Sequence, residues 1–146
     1  MKEYKNDDLI VYWFPELCAH VGACIRLQPE VFDSKRRPWI LLDKAKPEDI
    51  IKAVNQCPSG ALRFNIPEGS KVNPDCAAGP AHMDNMPEPD SVKIKASALG
   101  PIFIQGPATV CGSENQVLAE GCRMMLCGCG KTCNKPFCDG SHMLPQ

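Results

Sequence analysis

The chain has 146 residues, a formal net charge of −1, ten cysteines and fourteen prolines. That length suffices for one domain or two small ones, and the balanced charge excludes an electrostatic case for nucleic acid or an anionic membrane surface. No segment is apolar for long enough to span a bilayer, and the charged start Met1–Asp8 lacks the apolar stretch of a signal peptide. A cysteine-rich chain of this kind is expected in a reducing cytoplasm, with its thiols serving metal sites rather than disulfides.

Residues 8–14, Asp-Leu-Ile-Val-Tyr-Trp-Phe, predict a strand ending at Pro15. The segment Cys18–Cys24 follows, then a short helix to about Gln28 and a turn at Pro29–Phe32. Pro38–Leu42 reads as a short strand. Pro47 opens a helix: proline suits the first turn, and Glu48 and Asp49 suit the positive end of the dipole. Ile50, Val54 and Cys57 then fall on one inward stripe, and Pro58 ends the helix. Ala61–Phe64 is a closing strand. Residues 66–90 hold five prolines and two glycines, follow neither helical nor strand periodicity, and read as a linker or a long ordered loop. Ser91–Ala96, Ile102–Gln105 and Arg123–Leu126 predict three strands, the last leading straight into Cys127. The fold class expected is α+β: a small domain over residues 1–66, a Pro/Gly-rich linker over 67–90, and a β-rich domain over 91–146.

The densest constellation lies near the end. Cys127, Cys129, Cys138 and His142 read as C-x-C-x8-C-x3-H, four soft-to-borderline donors within sixteen residues. Such a segment cannot build an apolar core of its own, but it can wrap a metal. Two centres fit, a tetrahedral Cys3His zinc and a [2Fe–2S] cluster. Cys127 and Cys129 can share one metal through a short turn. Cys138 and His142, at i and i+4, can face another. Asp139 can cap that turn, and Gly140 lets the backbone approach closely. The defined positions Cys127, Cys129, Thr132, Pro136, Cys138, Asp139, Gly140, Ser141 and His142 fill the motif of the CDGSH iron–sulfur domain, which residues 91–142 resemble. That resemblance implies a [2Fe–2S] cluster on Cys127, Cys129, Cys138 and His142. Exchanging a thiolate for a neutral imidazole removes one negative charge, so its potential should exceed that of an all-cysteine plant-type site.

A second constellation lies in the first half: Cys18-Ala-His20-Val-Gly-Ala-Cys24, then Cys57-Pro58 after the helix. A bacterial-type ferredoxin offers C-x2-C-x2-C and a remote Cys-Pro. Here Val21 stands at the middle position and cannot coordinate. Together with Pro-Glu-Val-Phe, a Pro-Trp-Ile strand and Cys-Pro-Ser-Gly-Ala-Leu, the stretch from Tyr4 to Phe64 resembles the divergent mono-cluster ferredoxins. That implies a cubane-type cluster on Cys18, Cys24 and Cys57. Three thiolates complete a [3Fe–4S] cluster. A [4Fe–4S] cluster needs a fourth ligand, for which His20, a water or another cysteine is available.

Cys76, Cys111, Cys122 and Cys133 match neither motif and are read as free or buried thiols. His82 is read as a solvated linker residue, and Trp13 and Trp39 as core. No nucleophile elbow, phosphate loop or carboxylate pair appears, so no enzymatic role is expected. The function expected is electron transfer between redox partner proteins, with both clusters in one chain. One alternative is a cluster carrier that serves apo-acceptor proteins, or a redox or iron sensor whose cluster is acid-labile because a proton competes with iron for His142. The other is a zinc-stabilised interaction module. Since single-motif CDGSH domains often pair, a homodimer is also expected unless the first domain covers the pairing surface.

Overall fold

The computed structural model describes residues 1–84 and 91–144. Residues 85–90 of the expected linker and the last two of the second domain, 145 and 146, lie outside the described residues. The architecture is α+β, built on two three-stranded antiparallel sheets. The first sheet holds β1 (Lys2–Lys5), β2 (Ile10–Trp13) and β3 (Leu62–Asn65), in that order. Between β2 and β3 run the helices α1 (Ala23–Leu27) and α2 (Pro47–Asn55). The second sheet is a meander of β4 (Lys93–Ala96), β5 (Ile102–Cys111) and β6 (Val117–Leu126).

Local chemistry explains the elements. Asn6 Oδ1 accepts from the backbone N–H of Asp8 and Leu9 and so closes the β1–β2 turn. Across β2 and β3, Val11 faces Phe64, both fully buried. Helix α2 begins at Pro47 and buries Ile50, Ile51, Ala53 and Val54 against that sheet. Its end presents Cys57, whose N–H donates to Val54 O. In the second sheet Ile104 pairs with Met124, and both point into a core.

Two expectations need adjustment, the strand at Pro38–Leu42 and the solvated His82, and one strand is additional to those expected. Strand β1 is absent from the sequence reading because Lys-Glu-Tyr-Lys carries no apolar alternation; it is an exposed edge strand, where charges are usual. Pro38–Leu42 is not a strand. It makes one bridge, Phe32 with Ile40, and then a 3-10 turn at Leu42–Lys44. The Arg36 guanidinium gathers the loop by donating to Glu30 O, Val31 O and Pro38 O. Residues 70–83, inside the Pro/Gly-rich segment, pack onto the first sheet. Val72 and Ala81 enter its core, and Phe64 exchanges backbone bonds with Ala81 and Met83. His82, read as solvated, is half-buried with its ring 5.2 Å from that of Phe64.

The two sheets meet. Leu17 and Ala61 from the first half share a buried cluster with Ile104, Met124 and Phe137 from the second. Polar bonds border it: Arg63 donates to Glu120 O (2.8 Å), Arg123 to Asn55 O, and Asn134 Nδ2 to Glu16 O (2.6 Å). Gly60 sits in the left-handed region (φ +69°), directly beneath the backbone carbonyl of Arg123. Gly60→Ala should therefore cost at least about 1–2 kcal/mol for the backbone conformation alone, with the clash added. Urea denaturation would read this as a lowered midpoint, and an unchanged midpoint would contradict the close approach.

Candidate metal centres

Strand β6 delivers Cys127, and the main chain then returns on itself. Cys127 N donates to Pro136 O (2.8 Å) and Cys138 N to Met125 O (2.9 Å), so both ends of the loop are clamped. Inside it, buried Thr132 donates to Phe137 O (2.7 Å) and accepts from Asn134 N. Asp139 takes the N–H of Cys133 on one oxygen and the N–H and hydroxyl of Ser141 on the other. These bonds, the Ser141 hydroxyl foremost, hold its carboxyl well below the usual range. A 3-10 turn over Ser141–Met143 then carries His142 back towards Cys138.

The four candidate donors come in two pairs. Cys127 Sγ lies 3.8 Å from Cys129 Sγ, and Cys138 Sγ lies 3.4 Å from His142 Nδ1. Two thiolates on one tetrahedral metal at M–S ~2.3 Å stand ~3.8 Å apart, so each pair has the span of one metal's ligand edge. Among the described residues, no group of three or more His, Cys, Asp or Glu side chains is arranged to hold a single metal ion.

The first half gathers a second set. Cys18, Cys24 and Cys57 line one cleft with Trp13, Val21 and Trp39. Gly22 (φ +75°) turns the loop into α1, which carries Cys24. His20, itself left-handed at φ +53°, places Nδ1 3.9 Å from Cys18 Sγ and lines the same cleft. Val21 lies where a further thiolate would stand and packs instead against the Ala19–Met125–Cys138 cluster. Cys76 packs on the first core, Cys122 is buried beside Arg63 and Arg123, and Cys111 and Cys133 are exposed; none joins either set.

Residues 4–66 match the family described as divergent 4Fe-4S mono-cluster, and residues 99–143 match the one described as iron-binding zinc finger, CDGSH type. Among curated proteins, the "Uncharacterized protein YjdI" of Escherichia coli strain K12 and that of strain O157:H7 are each 36% identical to the chain over 61 residues. That alignment covers 42% of this chain and 80% of each relative. The chain belongs to the divergent 4Fe-4S mono-cluster family. A CDGSH-type domain follows the mono-cluster domain, and the whole is an iron–sulfur protein. No solved structure matches it significantly.

The electrostatics suit iron at both sites. In the mono-cluster domain, burial pushes the Cys24 thiol up to about 11, and the neighbouring Cys57 and Cys18 add to the shift. Burial likewise raises Cys18, with Cys57 contributing. The buried Cys18 and Cys24 thiols therefore ionise readily only when positive charge arrives with them. In the CDGSH-type domain Cys127 is instead lowered, because the backbone N–H groups of Thr132, Gly130 and Cys129 point at its sulfur; Gly130 N is 3.2 Å away. Cys138 is raised by burial.

The sequence marks Gly140 as a point of close backbone approach and Cys138 as a ligand, but not Ala19 and Met125 as their partners across the two halves. Ala19, Met125 and Cys138 form one buried cluster, and a Cβ on Gly140 would lie 2.9 Å from Ala19 O and 3.6 Å from His20 Cβ.

In iron-free protein Cys24 should remain a thiol well above the ordinary value of 9.0. A raised folded pKa contributes stability that is complete below the unfolded value and disappears as pH rises through the folded one. Stability linked to Cys24 is therefore expected to fall between pH 9.0 and about 11. Site-resolved alkylation by iodoacetamide should show its reactivity rising across that same window. Half-maximal reactivity near 9 would contradict the burial of this thiol.

Proposed function

We propose that the protein carries two iron–sulfur clusters and passes single electrons between partner proteins. The observation that supports this most is the contact between the two candidate ligand loops. Ala19, which lies between Cys18 and His20, packs on Cys138, and Gly140 seats against the Ala19 carbonyl. Two independent binding modules on a flexible tether would have no reason to bury their ligand loops against each other. Proximity of this kind serves exchange between the sites.

The C-terminal set is Cys127, Cys129, Cys138 and His142, and its two-pair geometry favours [2Fe–2S] over zinc. The N-terminal set is Cys18, Cys24 and Cys57, which completes a [3Fe–4S] cluster and holds a [4Fe–4S] cluster if the fourth corner is capped. His20 lies beside the Cys18 sulfur and is the nearest protein candidate for that cap. Bound clusters supply reversible one-electron chemistry. The chain does the rest. Its thiols hold the metals, its backbone N–H groups stabilise negative charge on Cys127, and its apolar walls exclude water from Cys138.

Cys57→Ala should remove the N-terminal iron and sulfide and leave the other site filled with iron and sulfide in equal amounts. Cys138→Ala should do the reverse. Both are measured by metal and sulfide analysis of protein purified without oxygen. Stoichiometric zinc without sulfide at the C-terminal site would contradict the proposal. Loss of the N-terminal cluster on Cys76→Ala would reveal a fourth cysteine ligand. After rapid partial reduction, redistribution of the electron should proceed at a rate independent of protein concentration, and a rate that scales with concentration would mean that the two sites do not exchange within one molecule.

A further inference from the structure

Both tryptophans of the chain lie at the N-terminal site, and both bury their indole nitrogen there. Trp13 ends β2, and Trp39 lies in the loop that precedes α2. They line the same cleft as Cys18, Cys24 and Cys57, and both also line an adjoining cavity of ≈ 370 Å³ that Cys18 and Cys24 border. The indole Nε1 atoms of both are buried; among the described residues that of Trp39 has no hydrogen-bond partner, and that of Trp13 has none closer than the Cys18 sulfur it faces. Buried indole N–H groups usually find an acceptor. The rings meet edge to face with centroids 4.8 Å apart. A T-shaped pair directs one ring's edge at the other's face, so π contact can satisfy at most one of the two N–H groups. The side-chain acceptors that line this cleft are the sulfurs of Cys18, Cys24 and Cys57, the His20 ring and the Ser59 hydroxyl, the last already beside Cys57 Sγ at 3.5 Å, and the Trp13 N–H is close enough to Cys18 to favour the thiolate there.

We propose that Trp13 and Trp39 donate indole N–H hydrogen bonds to the sulfurs of the N-terminal cluster and thereby set its reduction potential. The proposal rests on the assignment of Cys18, Cys24 and Cys57 as its ligands. Reduction adds negative charge to the cluster, and an N–H dipole aimed at its sulfur stabilises that charge. Each donor therefore raises the potential. These residues bind no metal; they position donors and exclude water, which is why a search for ligands does not find them.

The test is redox titration of the intact holoprotein with Trp13 or Trp39 replaced by benzothienylalanine, which keeps the ring shape and lacks the proton, and in parallel by Phe. Iron and sulfide content should stay at the wild-type level. The potential of the N-terminal cluster should shift downward in each single variant and further in the double variant, while the C-terminal cluster stays unchanged. Resonance Raman should show Fe–S stretching bands that move on transfer to deuterated water in the wild type and no longer move in the double variant. Unchanged potentials and bands in a fully loaded variant would overturn the hydrogen bonds and leave the ligand assignment standing. A wild-type protein that holds no iron at this site, or holds it after Cys18→Ala, Cys24→Ala and Cys57→Ala together, would overturn the assignment and the proposal with it.

Discussion

The contact between Gly140 and the Ala19 carbonyl governs how the two halves are arranged. The backbone of the C-terminal loop reaches the N-terminal loop only because residue 140 has no Cβ and adopts φ +84°, where other residues are strained. The seam built around it, with Leu17, Ala61, Ile104, Met124 and Phe137 at its centre, joins two sheets that are each too small to be robust alone. Because Cys18 follows Leu17 and Cys138 follows Phe137, the same packing that joins the sheets also fixes the sites beside each other.

Charge imposes the second constraint. Burial lowers the pKa of both Arg63 and Arg123 at this seam, and neither forms a carboxylate salt bridge among the described residues. Backbone carbonyls accept from both, and the sulfurs of Cys57 and Cys122 lie near enough to favour the charged forms. Arg123 is four residues ahead of Cys127 on β6 and reaches the carbonyl of Asn55, two residues ahead of Cys57. The segments that carry the two ligand sets are thus linked by a side chain as well as by packing.

Much of this was legible in the sequence, for reasons that can be stated. The C-terminal loop carries its whole instruction within sixteen residues, because its clamps and donors are all local: Thr132 bonds Phe137, and Asp139 bonds Cys133 and Ser141. Helix α2 was legible because Pro47, its acids and the Ile50–Val54 stripe all point to one element. The loop over Pro38–Leu42 was misread because its conformation follows from the Arg36 guanidinium and its three carbonyls, which strand propensity does not register. The packing of residues 70–83 was hidden because Val72 and Ala81 are isolated apolar residues in a polar stretch, with no period to announce them. At the seam the close approach at Gly140 was legible, but its partner was not, because Ala19 carries no signal of its own until the distant loop is seen.

The closeness of two clusters within one chain is the central claim, and magnetic resonance addresses it most directly. EPR of the intact holoprotein, poised so that both clusters are paramagnetic, should show spin–spin broadening and enhanced relaxation. Both effects should vanish in Cys57→Ala and Cys138→Ala, each of which retains one cluster. A spectrum of the intact protein equal to the sum of the two single-cluster spectra would contradict the arrangement.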